Sequence, residues 1–578
     1  MPVHNADIAG IFGEIADLLE IDGANPFRVR AYRNAARTLG ELGRDVRGML
    51  EQGADLTELP GIGDDLAGKI REIVDTGRCA MLDKLHRRIP HDVAELLKLP
   101  GLGPKRVKAL YQDLDISTVA QLQRAARDGR LRELPGFGPK TEQRLVEALA
   151  AHAAAPRRYK LAVAAQYAEG LAEYLRQIPG VGEVVVAGSF RRMRETVGDL
   201  DLVVTTTDPA AVTRRFLAYD EVKEILVEGP TRSSVTLKSG IQVDLRVIEP
   251  RALGAALHYF TGSRAHTVAV RRLGQKRGLK INEYGVYRGK ARVAGDTEAS
   301  VFAAVGLPFI PPELREDRGE IEAARAGELP SLVEIGDLRG DLHAHTRATD
   351  GHNTLREMAE AARTRGLEYL AITEHSRRLT MAHGLDPARL AKQIDAIDEL
   401  NDSLKGITLL KGIEVDILED GNLDLPDKAL AGLDLVVGAV HSKFNLSRSR
   451  QTNRILRAMD HPHFSLLAHP TGRLIDSRDP YDVDMLRVVR HARQRGCFLE
   501  LNAHPDRLDL LDIHCQIARD EGVLVAINSD AHGVYEFENL VYGVGQARRG
   551  WLSKKDVLNT RPLQALRTLL RKTMSAPA

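Results

Sequence analysis

Histidine and carboxylate side chains recur after short apolar runs in the C-terminal part of this 578-residue sequence. The first group stands in "DLHAHTRATDG", residues 341–351. The whole set comprises His343, His345, Asp350, His375, Glu414, His441, His469, Asp530 and His532. Imidazole and carboxylate ligands without thiolate favour Zn²⁺, Mn²⁺ or Fe²⁺. Because nine ligands exceed the needs of one ion, we expect two or three ions with Glu414 as the bridging carboxylate, a centre suited to phosphate-ester hydrolysis.

A second set of acids lies near the middle of the chain. In "VVVAGSFRRMRETVGDLDLVV", residues 184–204, Asp199 and Asp201 stand two positions apart on a predicted strand, so both face the same side. "GIQVDLRVI" supplies a third acid, Asp244, between apolar residues. Because carboxylate oxygens suit Mg²⁺ or Mn²⁺, this trio predicts a two-metal site for phosphoryl transfer.

The residues upstream of these acids predict a triphosphate site. Gly188 and Ser189 end an apolar run, and the glycine lets a phosphate approach the backbone. Arg192 can add charged hydrogen bonds. An isolated D-x-D pair is as often a surface turn, but with these residues upstream and Asp244 downstream, the pattern favours nucleotidyl transfer.

Seven apolar runs alternate with helical patterns in the C-terminal part, and the nine ligands lie at or just beyond the ends of these runs. The runs are 340–342, 369–373, 407–412, 433–440, 464–468, 497–501 and 523–527. A βα order favours parallel strands and a barrel, in which all strand ends of one kind share a face. Any one of these histidines alone would more often be an ordinary loop residue, whereas the full set predicts convergence.

The first third of the sequence contains three copies of one motif. "LPGIGDDLAGKI" begins at residue 59, "LPGLGPKRVKAL" at residue 99 and "LPGFGPKTEQRL" at residue 134. The helix after each turn begins with free N–H groups, which can bind a DNA phosphate without reading sequence. The glycines concerned are Gly61, Gly63, Gly101, Gly103, Gly136 and Gly138. These copies resemble helix-hairpin-helix motifs, although a single copy would more often be a plain helix hairpin.

The first part of the chain resembles family X DNA polymerases, the small gap-filling class related to polymerase beta. The resemblance rests on "GSFRR" followed by "GDLD", on "HYFTGS" at residues 258–263 and on "GLKINEYGVYR" at residues 278–288. It implies that Asp199, Asp201 and Asp244 bind the two metal ions, with Asp244 as candidate base for the primer hydroxyl. It also implies nucleotide contacts from Gly188, Ser189, Arg192, Gly198, Tyr259, Phe260 and Gly262, and a template-facing Arg271.

Three positions depart from the family's pattern. Gln242 stands where an arginine is common, which weakens one aid to primer activation, and Arg264 follows "TGS" where an acid is usual. Lys69 matches the lysine that forms a Schiff base in members able to remove a deoxyribose phosphate, yet Asp65 stands nearby where a basic residue is typical. An amine nucleophile needs a lowered pKa. A lyase role and a plain phosphate contact therefore both stay open for Lys69.

Residues 337–578 resemble the PHP domain, the polymerase and histidinol phosphatase superfamily, at every ligand motif named above. A family X core followed by PHP is the arrangement of bacterial family X polymerases. The resemblance implies an active hydrolase with manganese-dependent 3′-to-5′ exonuclease or 3′-end-processing activity.

Composition and charge limit the function less than the motifs do. The net charge is +1, but residues 246–292 hold eleven Lys and Arg against two acids, Glu249 and Glu283. This excess suits a polyanion such as DNA or a solvated surface. Without a basic leader, a long apolar run or a CxxC pair, we expect a cytoplasmic protein with no membrane partner, and we take a monomer as the starting hypothesis.

The fold class predicted is multidomain: α-helical helix-hairpin-helix domains, an α+β nucleotidyltransferase palm and thumb, and a seven-stranded β/α barrel. The boundaries expected are 1–90 for an N-terminal helix-hairpin-helix domain, 91–150 for a second DNA-binding region, 151–250 for the palm, 251–316 for a dNTP-selection region, 317–336 for a linker and 337–578 for the PHP domain.

Three hypotheses about function follow from these motifs. The first is a repair enzyme that extends gapped or primer-template DNA with dNTPs and processes 3′ ends. The second is a DNA-binding protein whose PHP domain is structural. The third is a nucleotidyltransferase fused to a small-molecule phosphatase.

Overall fold

The computed structural model describes residues 3, 5–42, 46–90, 93, 96–97, 102–134, 137–138, 142 and 158–573. The chain forms two compact units, Met1–Arg158 and Tyr159–Ala578. Both predicted helical regions therefore belong largely to the first unit. The boundaries predicted inside each unit stay predictions.

The first unit is helical. Its helices are α1 (Asn5–Ile21), α2 (Pro26–Glu41), α3 (Val46–Glu51), α4 (Asp64–Thr76), α5 (Ala80–His86), α6 (Pro104–Leu114) and α7 (Val119–Arg127), with 3-10 turns at Leu56–Glu58 and Leu131–Glu133. Ile8, Phe12, Ile15 and Leu19 recur at helical spacing and are buried. They form the apolar face of α1 that packs on α2, where the Phe12 and Tyr32 rings meet edge to face at 5.4 Å.

The turn before α4 shows why the repeated motif contains its first glycine. Gly61 has a φ of +65°, in the left-handed region that other residues rarely adopt. Leu59 and Ile62 on either side are buried. Gly63 is the N-cap of α4 and offers no side-chain cap, so the first N–H groups of the helix face outward.

The second unit begins with a five-stranded sheet. Its strands are β2 (Val181–Val186), β4 (Asp199–Thr206), β5 (Val222–Val227), β6 (Arg232–Leu237) and β7 (Gln242–Ile248), and β1 (Tyr159–Lys160) pairs separately with β3 (Thr196–Val197). The order is β2-β4-β7-β6-β5, with β4 and β7 parallel. The accompanying helices are α8 (Leu161–Arg176), α9 (Gly188–Arg191) and α10 (Pro209–Leu217).

A smaller helical and β region follows this sheet. It contains a 3-10 turn (Pro250–Ala252), α11 (Leu253–Thr261), α12 (Arg264–Lys276), β8 (Lys280–Asn282), β9 (Gly285–Arg288), β10 (Ala291–Ala294), α13 (Glu298–Ala304), a 3-10 turn (Pro312–Leu314) and α14 (Glu320–Ala326). Strands β8 to β10 form an antiparallel sheet.

Residues 317–336, predicted as a linker, contain α14 and are packed. Ile321 and Ala324 belong to the same buried cluster as Phe302 of α13, and Trp551 from the C-terminal part joins that cluster. The apolar side of a short helix is buried here, so this connection is a fixed part of the second unit.

The remainder of the second unit is a nearly closed barrel of seven parallel strands in sequential order. The strands are β11 (Gly340–Asp341), β12 (Tyr369–Ile372), β13 (Thr408–Asp416), β14 (Leu435–Ala439), β15 (Leu466–Leu467), β16 (Phe498–Asn502) and β17 (Val525–Asn528). The His345 N–H donates to the Ala531 carbonyl at 2.8 Å, which brings the ends of the first and last strands together.

Helices surround the barrel. They are α15 (Leu355–Thr364), α16 (Pro387–Ser403), α17 (Asp427–Leu430), α18 (Arg448–Met459), α19 (Met485–Arg495), α20 (Asp512–Asp520), α21 (Leu540–Arg549) and α22 (Leu563–Thr573). Short 3-10 turns lie at Ile335–Asp337, Thr380–Ala382, Glu536–Asn539, Lys554–Asp556 and Leu558–Thr560.

The seven predicted barrel strands are confirmed, although the bounds of each differ from the predicted run by one or more residues. β13 continues to Asp416, four residues beyond the predicted run, so Glu414 lies inside the strand and not after it. Strands β11 to β17 are almost entirely buried because helices cover one face and the barrel interior the other. None of the helices within the described residues is long and apolar enough to cross a membrane.

Candidate active sites

The first candidate site lies on β4 and β7. Asp199 and Asp201 occupy alternate positions of β4, and Asp244 lies directly opposite Asp201 on β7. The three carboxylates therefore share one face of the sheet. Asp199 is exposed, and Asp244 is buried.

Gly188 is required by the carboxylate of Asp201. A Cβ atom at Gly188 would lie 2.3 Å from Asp201 Oδ2, and Gly188 has a φ of +62°. Burial, together with the carboxylates of Asp199 and Asp244, raises the pKa of Asp201 to about 7. The three carboxylates repel one another when they are ionised. Divalent cations, which prefer oxygen ligands, would reduce that repulsion.

Asp244 is held by two neighbours. The Ser234 hydroxyl donates to its Oδ1, and Gln242 Nε2 donates to its Oδ2 at 3.0 Å. Gln242, the departure from the arginine common in the family, thus still orients Asp244, although without a charge. Because the Gln242 amide carries no charge, it would aid primer activation less than the arginine that is common in the family.

Arg192 and Ser189 lie at the short helix α9. The Arg192 Nε donates to Glu316 Oε1 at 3.1 Å, and its Nη1 donates to the carbonyl of Thr261. Gly262, the next residue, has a φ of +64° and lies beside Arg192. The structure therefore brings the predicted triphosphate residues Gly188, Ser189, Arg192 and Gly262 to one corner of the sheet, and Gly198 directly precedes Asp199.

The other predicted nucleotide and template residues lie on α11 and α12. Tyr259 and Phe260 are half-buried, with ring centroids 5.0 Å apart, and the Arg246 guanidinium covers Phe260 at 4.8 Å. Arg271 is exposed on α12, as a template contact requires.

The hairpin turns differ in charge. Gly61 and Gly63 precede Asp64 and Asp65 at the start of α4, where acids oppose a phosphate. Gly103 precedes Pro104 and the exposed Lys105 at the start of α6, which favours a phosphate. Gly138 is exposed, whereas Gly101 and Gly136 lie outside the described residues.

Lys69 does not have the environment of an amine nucleophile. Its ammonium donates to the carboxylate of Asp65 one turn earlier on α4. Burial alone would lower the pKa of Lys69, but the hydrogen bond and charge of Asp65 together with Tyr32 outweigh that effect, and the pKa is raised. The amine is therefore held in its protonated form.

The second candidate site is at the carboxyl end of the barrel strands, and Glu414 is at its centre. Its carboxylate lies 2.7 Å from His375 Nδ1, 2.8 Å from His469 Nε2, 3.2 Å from His441 Nε2, 3.5 Å from His343 Nε2 and 3.7 Å from His345 Nε2. This position between five imidazoles suits the bridging role expected of Glu414.

Two other acids complete the cluster. Asp530 lies 3.2 Å from His345 Nε2, and Asp350 lies 3.4 Å from His375 Nε2 and 3.6 Å from His532 Nε2. Three groups have ligand atoms that all lie within 4.8 Å of one another: His345, Asp350, His375 and His532; His343, His345 and Asp530; His375, Glu414 and His441. All nine predicted ligands therefore meet in one cluster.

Several buried atoms of this cluster make no hydrogen bond of acceptable geometry, although ligand atoms of neighbouring residues lie close to some of them. The atoms without such a bond are His343 Nε2, both ring nitrogens of His345, His375 Nδ1, Asp350 Oδ1 and Glu414 Oε2. Leaving so many buried polar atoms without hydrogen bonds is costly, and metal ions would satisfy them. The donor set thus fits two or three divalent cations.

The protonation states of two ligands already suit metal binding. Burial, with the charges of His532 and His375, lowers the pKa of His345 to about 3, so this imidazole is neutral. Burial would raise the pKa of Asp530, but His343 and His345 outweigh it and hold that pKa well below its usual range. A neutral imidazole and an ionised carboxylate are the forms that bind metal.

Supporting acids around the cluster were not anticipated. Glu500 accepts from His343 Nδ1 at 2.7 Å and from the His469 backbone N–H at 2.7 Å, and Asp416 lies 3.1 Å from His441 Nδ1. Such partners fix the orientation of imidazole ligands. Their one sequence signal is an acid inside an apolar strand, the argument that applied to Asp244.

Arg507 supplies a cation beside the cluster. Its Nε lies 3.6 Å from Asp530 Oδ2, and about a fifth of the side chain is exposed. A partly exposed guanidinium next to a carboxylate predicted to bind metal can bind a phosphate oxygen of a substrate.

Four families match parts of the chain. The helix-hairpin-helix domain matches residues 3–79, the SAM-like helix-hairpin-helix tandem residues 93–151, the DNA polymerase beta thumb residues 256–316 and the PHP domain residues 341–504.

Similar proteins span most of the chain or part of it. The DNA polymerase/3′-5′ exonuclease PolX of Bacillus subtilis (strain 168) is 38% identical over 99% of this chain and 100% of its own length. A probable phosphatase of Thermoanaerobacter sp. (strain X514) is 28% identical over 38% of this chain and 89% of its own length. A probable phosphatase of Caldanaerobacter subterraneus subsp. tengcongensis is 30% identical over 33% of this chain and 75% of its own length.

Proposed function

This chain belongs to the bacterial family X DNA polymerases that carry a C-terminal PHP domain, and we propose on that premise that it fills short gaps in DNA during repair and processes 3′ ends. It is a DNA-directed DNA polymerase with a domain that supports 3′-to-5′ exonuclease activity. Both activities of this family depend on metal ions. The observation that carries the proposal is that the three aspartates share one face of a sheet and the histidine and acid side chains cluster at the barrel, both within one compact unit.

In the polymerase site, the roles follow from position. Ser189 and Arg192 would bind the triphosphate, beside Gly188, whose missing Cβ leaves room for the Asp201 carboxylate, and beside Gly262. Asp244, oriented by Gln242 and Ser234, would accept the proton of the primer 3′-hydroxyl. Two Mg²⁺ or Mn²⁺ ions at the aspartates would supply charge neutralisation on the attacking and leaving oxygens.

Tyr259 and Phe260 would select the sugar. These two adjacent rings, with centroids 5.0 Å apart, would exclude a 2′-hydroxyl by their bulk and so favour deoxynucleotides. Arg271 on the exposed face of α12 and the second helix hairpin would bind the DNA backbone. We propose a monomer, which light scattering of the purified chain tests directly.

In the PHP site, the nine ligands would hold two or three Mn²⁺, Zn²⁺ or Fe²⁺ ions, which when bound supply a hydroxide nucleophile at neutral pH. Glu500 and Asp416 hold the ring orientations of His343 and His441. Arg507 would bind a non-bridging oxygen of the terminal phosphodiester.

A direct assay tests the whole proposal. The purified 578-residue chain receives a one-nucleotide-gapped duplex and a 3′-recessed duplex, with Mg²⁺ or Mn²⁺, with and without dNTPs. We expect extension when dNTPs are present, 3′ shortening when they are absent, and loss of both with EDTA. If the protein showed no extension and no shortening with either metal, the proposal would be overturned.

The similarity to probable phosphatases favours a second candidate for the PHP site, hydrolysis of phosphate monoesters. The same assay separates the two when a duplex ending in a 3′-phosphate is added. Release of inorganic phosphate without release of nucleotides would identify a phosphatase. Release of nucleoside monophosphates identifies the exonuclease.

For Lys69 we propose a phosphate contact instead of a lyase nucleophile. Because Asp65 raises the pKa of Lys69, the neutral amine is scarce at pH 7 and becomes more abundant as pH rises toward that pKa. We expect little borohydride trapping of 5′-deoxyribose-phosphate DNA at pH 7, and several-fold more with Asp65→Asn, which removes the charge that stabilises the ammonium.

Lys69→Ala provides the control for that trapping experiment, because it removes the amine itself. Efficient trapping by the parent protein at pH 7 that Lys69→Ala abolishes would contradict the phosphate-contact proposal and establish the lyase role.

A further inference from the structure

The loop after α9 is built against the PHP barrel. Met193 has a φ of +53°, and its side chain lies on α21, where a Cβ atom at Gly545 would be 2.4 Å from Met193 Cε. Arg473 of the barrel donates to Glu195 Oε2 at 2.6 Å. The residues that follow Arg192 therefore take their conformation from contacts with the C-terminal domain.

Arg549, the last residue of α21, directly contacts Arg192 at the corner of the sheet predicted to bind the triphosphate. Its Nη1 donates to the Arg192 carbonyl at 2.9 Å and to Glu316 Oε1 at 2.9 Å, and its Nη2 donates to Asp512 Oδ2 at 2.7 Å. The side chain is 3% exposed. Charge-assisted hydrogen bonds at a buried position hold their geometry strongly.

Glu316 is shared between two arginines. Its Oε1 accepts from Arg549 and, at 3.1 Å, from the Nε of Arg192, whose Nη1 is bound to the Thr261 carbonyl. These two bonds fix the plane of the Arg192 guanidinium. Arg194 lies 3.7 Å from the same oxygen. The charges of Arg192 and Arg549 keep the pKa of Glu316 below its usual range against the effect of burial, so the carboxylate is ionised.

We propose that Arg549 of the PHP domain is a positioning residue of the polymerase site: through Glu316 and the Arg192 carbonyl it orients the guanidinium that binds the incoming triphosphate. This inference rests on the proposed polymerase function. It makes dNTP binding depend on the PHP domain but not on the metal ions of that domain.

The direction of the effect follows from the shared charge. Without Arg549, the Glu316 carboxylate would pair chiefly with Arg192, whose charge would then attract a triphosphate less strongly. The Arg192 carbonyl would also lose a hydrogen-bond donor. The aspartates of β4 and β7 are untouched. Removing Arg549 therefore weakens nucleotide binding more than it slows chemistry.

The test measures single-nucleotide incorporation on gapped DNA at saturating DNA and varied dNTP. For Arg549→Met we expect KM for dNTP to rise about tenfold, a change typical of losing one charge-assisted hydrogen bond, with kcat within about twofold. Arg549→Lys retains the charge but not the fork of donors, and we expect about a threefold rise in KM. The Lys variant keeps the test decisive if the Met variant fails to fold.

Arg548→Met is the matched control. Arg548 is the neighbouring arginine on α21 and also joins the two domains, donating to Glu313 at 2.6 Å and to the Val333 carbonyl at 3.1 Å. It has no role in orienting Arg192, so KM should stay unchanged. An equal rise in KM for Arg548→Met would show that loosening the domain contact is sufficient, and would overturn the proposal.

A double variant tests the route through Glu316. In a Glu316→Gln background, Arg549→Met should raise KM by less than half as much as in the parent, because the two residues act on one guanidinium. Fully additive effects would contradict the route. Absence of incorporation by the parent protein would instead end the proposed polymerase function, and an unchanged KM for Arg549→Met beside an active parent would overturn this inference alone.

Discussion

Replacing Asp199 and Asp201 together by alanine is expected to abolish primer extension while 3′ shortening continues at the parent rate. The two carboxylates are the β4 part of the oxygen donor set opposite Asp244. Metal ions at such a site lower the barrier by several kcal/mol, so the loss should reach on the order of 10³-fold or more. Extension and degradation of one labelled 3′-recessed duplex measure both outcomes.

The fold of this double variant can be checked by its melting temperature in EDTA at pH 7.5. The pKa of Asp201 is raised to about 7 in the folded protein. At pH values above the ordinary aspartate pKa, this carboxylate therefore lowers the free energy of unfolding. Removing it at this pH should leave the melting temperature unchanged or higher. A large drop would mean that the acids have a structural role.

Glu224→Ala with Glu228→Ala is the matched control for charge, since both side chains are exposed at or near the edge strand β5 of the same sheet. This control should extend primers normally. If the Asp199 and Asp201 variant lost 3′ shortening as well as extension, the assignment of the two activities to separate sites would fail.

Replacing His343 and His345 together by alanine is expected to have the opposite effect, loss of 3′ shortening with extension retained. Both imidazoles lie beside Glu414 and Asp530 in the cluster. Removing two predicted ligands at the centre of the proposed hydrolytic metal site should lower the hydrolysis rate on the order of 10³-fold or more. Measured metal content should fall in parallel.

Folding is a greater concern for this variant, because His343→Ala leaves the buried Glu500 carboxylate without its imidazole partner. Glu414→Gln preserves size and removes the bridging charge, so it gives a second route to the same outcome. His461→Ala with His463→Ala is the matched control, since these two histidines have the same spacing, belong to the same domain and lie outside the cluster. Retained shortening in both His343/His345 and Glu414 variants would refute a metal-dependent PHP hydrolase.

The identity of the barrel could be predicted because its signal is local and repeated. Six of the seven strands are short apolar runs with a predicted metal-binding side chain at or near the carboxyl end, and parallel order places those side chains on one face whatever the packing details. The length of β13 was predicted less well. The pattern after Gly412 contains Glu414, and an acid inside a strand is explained only by the histidines around it.

The domain contacts could not be predicted. Arg549 and Arg192 are separated by 357 positions, and no sequence pattern around either residue indicates that the two are in contact. The linker at 317–336 stays a prediction from a proline-rich and charged stretch, and within it Ile321 and Ala324 are buried in the same cluster as Phe302. Burial of that kind depends on the shape of the partner surface.

The sequence by itself determined which residues are candidates for the chemistry: Asp199, Asp201 and Asp244 through strand alternation, and the nine predicted PHP ligands through their recurrence at strand ends. Only the tertiary structure decided how those residues are held: Glu414 at the centre of five imidazoles, Gln242 on Asp244, and Glu316 between Arg192 and Arg549. The reason is that spacing along a strand fixes which side chains share a face. Distances between elements far apart in the chain are set by packing, which no local pattern encodes.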